Sequence, residues 1–186
     1  MKIHVLGSAA GGGFPQWNCN CPQCAAVRGG SPHHLPRTQS SIAVSANDLD
    51  WLLVNASPDV LQQIKSFPGL QPARALRDTG IAAVMLMDAQ IDHSTGLLML
   101  RENRQPLQIW CHPLVREDLS TGNPLFKVLE HYCKVDWQAL SLQQQGFAIE
   151  RVPGLHFAAL PLSSNAPPYS PHRDRPQDGD NIGLSV

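Results

Sequence analysis

Ile81-Ala82-Ala83-Val84-Met85-Leu86-Met87 runs straight into Asp88-Ala89-Gln90-Ile91-Asp92-His93-Ser94-Thr95-Gly96-Leu97. The first seven residues are continuously apolar, the pattern of a strand covered on both faces. The spacing of Leu97, Leu98 and Leu100 predicts a helix from about His93 to Arg101. Polar residues at the end of a buried strand, where a helix begins, are where α/β folds place sites. Asp92 and His93 have the residue types for such a site: a carboxylate and an imidazole bind zinc, iron or manganese, or orient one another for acid–base work. On spacing alone the simpler reading is an aspartate that caps the helix His93 opens, with His93 merely packed.

Towards the N-terminus, Lys2–Leu6 reads as a strand and Gly7-Ser8-Ala9-Ala10-Gly11-Gly12-Gly13 as a tight turn after it. That turn lacks the Lys-Ser/Thr pair of a phosphate loop and runs into Phe14-Pro15, so it is expected to aim the segment that follows. The segments 41–46 and 51–54 flank Asn47-Asp48 as a β-hairpin. Ser57-Pro58-Asp59 predicts an N-cap, a first helical residue and an acid at the positive helix end. The helix is expected to run through about Ser66, with Val60, Leu61 and Ile64 on one face, and to end at Pro68-Gly69.

Towards the C-terminus, 106–110 is a strand candidate and His112-Pro113 to Leu119 a short helix. Thr121 to Gln145 mixes helix and loop, and 147–151 and 155–160 form two short strands. Ser163 to Asn181, with Pro167, Pro168, Pro171 and Pro176, is a long loop. Ile182–Val186 begins an apolar run without a continuation, from which a C-terminally truncated chain is expected.

Trp17-Asn18-Cys19-Asn20-Cys21-Pro22-Gln23-Cys24 is a second signal. Cys19, Cys21 and Cys24 place three of the chain's five cysteines within six residues. Thiolates this close repel one another unless a cation sits among them, and zinc accepts several in tetrahedral geometry. A disulfide would leave one thiol of the three over and rarely closes within so short a loop. A fourth ligand is expected from His33, from His34 or from outside the chain. Cys111 and Cys133 read as ordinary reduced thiols.

Composition sets the remaining bounds. The 186 residues suit one domain, 42% of them are hydrophobic, and the net charge is −1. No basic field is available for nucleic acid or anionic lipid. No apolar run has the length of a membrane span, and the N-terminus lacks a basic-then-apolar signal segment, so a cytoplasmic protein is expected. A homo-oligomer is compatible with this composition.

The order strand, hairpin, capped helix, apolar strand, Asp-His-x-x-Gly-Leu resembles the metallo-β-lactamase superfamily, whose hallmark is His-x-His-x-Asp-His where a strand meets a helix. Here Asp92 and His93 match its last two positions, whereas Asp88 and Gln90 replace its first two histidines. Neither the usual three-histidine first metal site nor ordinary two-zinc hydrolysis is therefore expected. More closely, Val5 to Cys21 (VLGSAAGGGFPQWNCNC) resembles the N-terminal signature of the coenzyme PQQ synthesis protein B family. So do Arg37-Thr38-Gln39-Ser40-Ser41, Asn55-Ala56-Ser57-Pro58-Asp59, Gln90-Ile91-Asp92-His93, Asn165-Ala166-Pro167-Pro168-Tyr169 and Gly179-Asp180-Asn181-Ile182-Gly183-Leu184.

The resemblance implies an α+β fold: an αββα sandwich over 1–186 with a cysteine-rich metal loop at 17–24, continued in the family past residue 186. It implies a role in making pyrroloquinoline quinone (PQQ), as a metal-dependent oxygenase that hydroxylates the tyrosine of a peptide-derived precursor. Iron would sit at Asp92 and His93, with a third ligand from Asp88 or from outside the chain, and a structural zinc at Cys19, Cys21 and Cys24. Arg37, Arg173 and Arg175 are candidates to meet an anionic precursor or product by their loop positions only, and solvated surface arginines are the simpler reading. The alternatives are a soluble carrier of PQQ or its precursor towards the periplasm, a phosphodiesterase with a cysteine-rich zinc loop, and a binding protein on a degraded enzyme scaffold.

Overall fold

The computed structural model describes residues 1–143 and 146–186. Among these residues the chain runs β1 (Lys2–Gly7), α1 (Pro22–Arg28), β2 (Ser41–Ser45), β3 (Trp51–Val54), α2 (Val60–Ser66), β4 (Ile81–Met85), α3 (Ile91–Ser94) and β5 (Leu107–Cys111). It continues through α4 (Pro113–Asp118), α5 (Leu125–Leu129), β6 (Val135–Ala139), β7 (Phe147–Ile149), β8 (Val152–Pro161) and β9 (Ile182–Ser185). Tight 3-10 turns occupy Pro68–Leu70 and Thr95–Leu100.

The first sheet has the order β1-β2-β3-β4-β5-β6. Its first two pairings are antiparallel and the rest parallel. The second sheet, β7-β8-β9, is antiparallel. β4 shows why its sequence is apolar without interruption. Val84 and Leu86 face a core that includes Val60, Leu97, Val115, Leu119, Phe126 and Leu129 from the helical side. Ala83 and Met85 face the opposite core, with Phe147, Val152, Phe157 and Ile182 of the second sheet. Successive strand residues point to opposite faces, so a strand covered on both sides must be apolar at every position. Trp110 stacks on Phe147 at 5.3 Å between ring centroids, fastening β5 to β7 across the sandwich. The layers are thus helices, a mixed sheet and an antiparallel sheet, three successive layers of the expected sandwich.

Several local expectations shift. α2 begins at Val60 rather than Pro58, and Ser57 does not cap it: its hydroxyl donates to Gln63 Oε1 at 3.1 Å. The Asp59 carboxylate instead accepts from Gln39 N at 2.9 Å and Gln39 Nε2 at 3.1 Å. Leu61 is 48% exposed while Gln63 is fully buried, so the inward face of α2 is Val60, Gln63 and Ile64. A buried glutamine is tolerated there because its amide also donates to Gln39 O at 2.8 Å. The expected helix 93–101 is a single α-turn, α3, followed by a 3-10 stretch. α1 and β6 were not anticipated; β6 lies in the segment read as mixed helix and loop, whose last residues, 144–145, fall outside the described ones.

The parallel strands aim their C-terminal ends at one edge. Asn55, just past β3, adopts a left-handed φ of 60° and accepts from Met87 N through Oδ1 at 3.0 Å. Its own N–H donates to Met85 O at 2.8 Å. Ala56 N donates to His93 O at 2.7 Å and Gly96 N to Ala56 O at 2.9 Å, which docks α3 on the turn after β3. A Cβ at Gly96 would lie 2.1 Å from Ser57 O, so only glycine permits this approach.

Candidate functional site

The segment after β4 brings Asp88, Asp92 and His93 together. The His93 Nδ1–H donates to the Asp88 carboxylate, 2.8 Å from Oδ1 and 2.9 Å from Oδ2. Gln90 N donates to the same Oδ1 at 2.8 Å. Asp88 is therefore engaged on the imidazole rather than set out as a third ligand. The remaining ring nitrogen, Nε2, faces Asp92 Oδ2 at 3.8 Å. Two ligands each about 2.1 Å from one ion lie at most about 4.2 Å apart, so Nε2 and Oδ2 can share a metal. A histidine whose second nitrogen donates to a carboxylate is the usual arrangement of a metal-binding imidazole.

Burial opposes the charged imidazolium, but the hydrogen bond to Asp88 and the charges of Asp88 and Asp92 outweigh it and raise the pKa of His93. The alternative of Asp92 as a helix cap does not hold: Gln90 stands at the N-cap, and Asp92 lies within the first turn.

Two distant segments wall this centre. The glycine-rich turn borders Asp92, since a Cβ at Gly11 would sit 3.4 Å from Asp92 Cγ and Oδ2. That turn is tied down by Gly12 N, which donates to Gln39 Oε1 at 3.0 Å. From the Pro-rich loop, Tyr169 donates its hydroxyl to Ala89 O, between Asp88 and Gln90. Burial, with the nearby charges of Asp118 and Asp88, pushes the Tyr169 phenol up to about 12, which keeps it a donor. Tyr169 closes the Asn165–Tyr169 motif, but its partner is 80 residues away and no local pattern signals the pair.

The cysteine loop forms a second centre. The Sγ atoms of Cys19, Cys21 and Cys24 lie within 4.8 Å of one another, with Cys24 buried, Cys19 half-buried and Cys21 exposed. Cys24 is carried on α1, which Pro22 opens. Arg28 braces the loop through the carbonyls of Cys19 and Gln16. The Cys24 backbone N–H, followed by hydrogen bonds with the Cys19 and Cys24 thiols, lowers the Cys21 thiol to about 7. The Cys24 thiol is raised: a bond from the Gln16 backbone opposes this, but burial and the neighbouring sulfurs prevail. Three clustered sulfurs fit a zinc ion, which takes tetrahedral thiolate ligands.

Neither histidine expected as a fourth ligand joins the cluster among the described residues. His34 Nδ1 is 3.0 Å from Ser31 Oγ, and His33 is exposed. Among the described residues none of Arg37, Arg173 and Arg175 forms an ion pair with Asp92. Arg173 donates to Ala166 O and so braces its own loop, and Arg37 exchanges backbone bonds with Phe14 at 2.8 and 2.9 Å.

Residues 50–186 match the β-lactamase superfamily domain. The chain belongs to the β-lactamase superfamily. Within that superfamily the resemblance to coenzyme PQQ synthesis protein B holds along the full chain. The Azoarcus sp. (strain BH72) protein of that name is 67% identical over 186 residues, which are 100% of this chain and 61% of the relative. The zinc-bound PqqB of Methylobacterium extorquens superposes with a TM-score of 0.81 at 36% identity, covering 99% of this chain and 60% of that one. A diphosphatase of the PhnP family, at 20% identity and a TM-score of 0.65 over 86% of this chain and 56% of its own, shares the superfamily fold. The chain thus spans about three fifths of the length of the curated relatives it matches. No helix among the described residues is long and apolar enough to cross a membrane.

Proposed function

We propose that this chain serves PQQ biosynthesis as part of a metal-dependent oxygenase acting on the peptide-derived precursor. Asp92 and His93 would hold a redox metal, iron by chemical type, and Cys19, Cys21 and Cys24 a structural zinc. The observation that carries this reading is the oriented imidazole: Nδ1 is committed to Asp88, 2.8 Å away, and Nε2 faces Asp92 Oδ2. Similarity to proteins named for PQQ synthesis supplies the pathway.

Hydroxylating a phenol ring needs activated dioxygen; an open histidine and carboxylate site suits non-haem iron, whereas zinc has no redox chemistry. The chain's own groups bind and orient. Asp88 fixes the tautomer and rotation of His93, Tyr169 holds the Asp88–Gln90 turn through Ala89, and Gly11 keeps the approach to Asp92 narrow but free of a side chain. Hydrolysis of the usual two-zinc kind is disfavoured, because Asp88 and Gln90 stand where the superfamily motif has histidines and Asp88 is spent on His93.

The test is elemental analysis of anaerobically purified protein, wild type against His93→Ala, alongside an oxygen-consumption assay with the excised precursor. Loss of iron with zinc retained, and loss of uptake, is the expected result. Zinc alone in both proteins would overturn the oxygenase reading and leave the soluble carrier.

A further inference from the structure

A cavity lies at the end of the parallel strands opposite Asp88, Asp92 and His93. Ile81 and Leu107, the first residues of β4 and β5, line it, whereas Asp88 follows the far end of β4. The four rises of a five-residue strand place roughly 13 Å between its two ends. The cavity measures about 410 Å³. That lies within the ~300–1,000 Å³ of small-molecule sites and is too small for a helix or a folded partner.

Its walls are apolar: fully buried Leu70, nearly buried Leu107, and Ile64, Ile81 and Leu100 packed on the helical-side core. Met99 stands at the mouth at 37% exposure, and Leu76 forms a lip that is 98% exposed.

The charges at the rim are unequally engaged. Arg74 holds the rim loop: Nη1 donates to Asp50 Oδ1 at 2.7 Å, Nε to Asp78 Oδ2 at 3.3 Å and Nη2 to Thr79 O at 3.0 Å. Asp78 is thereby paired, and Glu102 lies 3.8 Å from Arg101 Nε. Arg77 and Arg104 also line the cavity, and among the described residues neither guanidinium has a hydrogen-bond or ion-pair partner. Asp78 is held by Arg74 and Glu102 points largely into solvent, so Arg77 and Arg104 are the unpaired cations beside the apolar floor and suit an anion there.

We propose that this cavity binds a small amphipathic carboxylate, with its apolar body against Leu70, Ile81, Met99 and Leu107 and its carboxylate on Arg77 and Arg104. The guanidinium fork matches a carboxylate in geometry and charge. A carboxylate also loses less hydration than a phosphate dianion on reaching a mostly apolar cavity. The site is separate from Asp88, Asp92 and His93 and does not depend on the metal reading.

Decanoate and 1-naphthoate, with neutral 1-naphthamide as control, are titrated into ¹⁵N-labelled protein, and amide shifts are followed. Shifts should centre on Leu70, Thr79, Ile81 and Leu107. The Arg77→Ala/Arg104→Ala double variant should bind 1-naphthoate at least about tenfold more weakly, with 1-naphthamide unchanged. Met99→Trp, which fills the mouth, should block both. Both arginines are exposed, so the double variant should retain its fold, and its unperturbed amide spectrum checks this. Equal affinity of wild type and double variant for the acid, shifts centred elsewhere, or no response to either carboxylate would overturn the proposal.

Discussion

His93 and Asp88 form a two-oxygen hydrogen bond: Nδ1 lies 2.8 Å from Oδ1 and 2.9 Å from Oδ2, with 22% of the imidazole and 11% of the carboxylate exposed. The pair leaves Nε2 as the ring's outward nitrogen. Asp88→Asn removes the charge that favours imidazolium while keeping the side chain's size, so the His93 pKa should fall. A histidine with a raised folded pKa contributes stability fully below its unfolded value, about 6.5, and loses it as pH rises through the folded value. In metal-free protein the variant should therefore be less stable by on the order of 1 kcal/mol at pH 5, and the gap should narrow with rising pH. Urea unfolding across a pH series measures this. A gap that widens with pH would contradict the assignment.

Cys21 is exposed with a thiol lowered to about 7, whereas Cys111 is buried and pushed up to about 12 by burial. In zinc-free protein, iodoacetamide should label Cys21 first, with half-maximal rate near pH 7, and leave Cys111 unlabelled until the chain unfolds. Added zinc should protect all three loop cysteines. Cys21→Ser should lose bound zinc and melt lower, because metal affinity is coupled to folding. Peptide mapping by mass spectrometry and zinc analysis read both outcomes, and unchanged zinc in Cys21→Ser would remove the loop from the metal account.

Gly96→Ala places a Cβ 2.1 Å from Ser57 O and 2.6 Å from Ala56 O, both backbone atoms of the turn that carries β3 into α2. Backbone cannot step aside as a flexible side chain can. A loss of about 2–3 kcal/mol is expected, with α3 displaced from that turn. Denaturant unfolding measures the loss, and the His93 side-chain resonances should move with it.

Tyr169→Phe deletes the donor to Ala89 O and leaves the carbonyl of a fully buried residue without that partner. The expected cost is about 1–2 kcal/mol. Faster amide exchange at Gln90 and Ile91 should accompany it, because the turn behind Asp88 loses its tether. Unchanged exchange there would show that the loop does not hold the centre.

Much of this molecule is legible from short-range pattern. The uninterrupted apolar run at 81–87, the hairpin around Asn47-Asp48, the Pro113 helix start with His112 before it, and the triple cysteine all depend on neighbours within a few residues. Local sterics and hydrogen bonding act over that range. The pairing of carboxylate and imidazole after β4 was readable as chemistry, although its geometry was not.

What the tertiary structure decided are relations across long separations. Whether Asp88 would ligate or orient depended on where the backbone of α3 places His93, which is held on the turn after β3 by the bond from Ala56 N to His93 O. Leu61 turned outward and Gln63 inward because the partners of Gln63, Thr38 and Gln39, come from 24 or 25 residues earlier. β6 was hidden because its strand character comes from pairing with β5, Ile109 opposite Trp137, rather than from its own alternation. By itself the sequence determined β4, the hairpin and the presence of a carboxylate–imidazole segment and a triple cysteine. Only long-range hydrogen bonding and burial on both faces of the mixed sheet decided which atom of each ligand points where, since such contacts form after the chain has closed on itself.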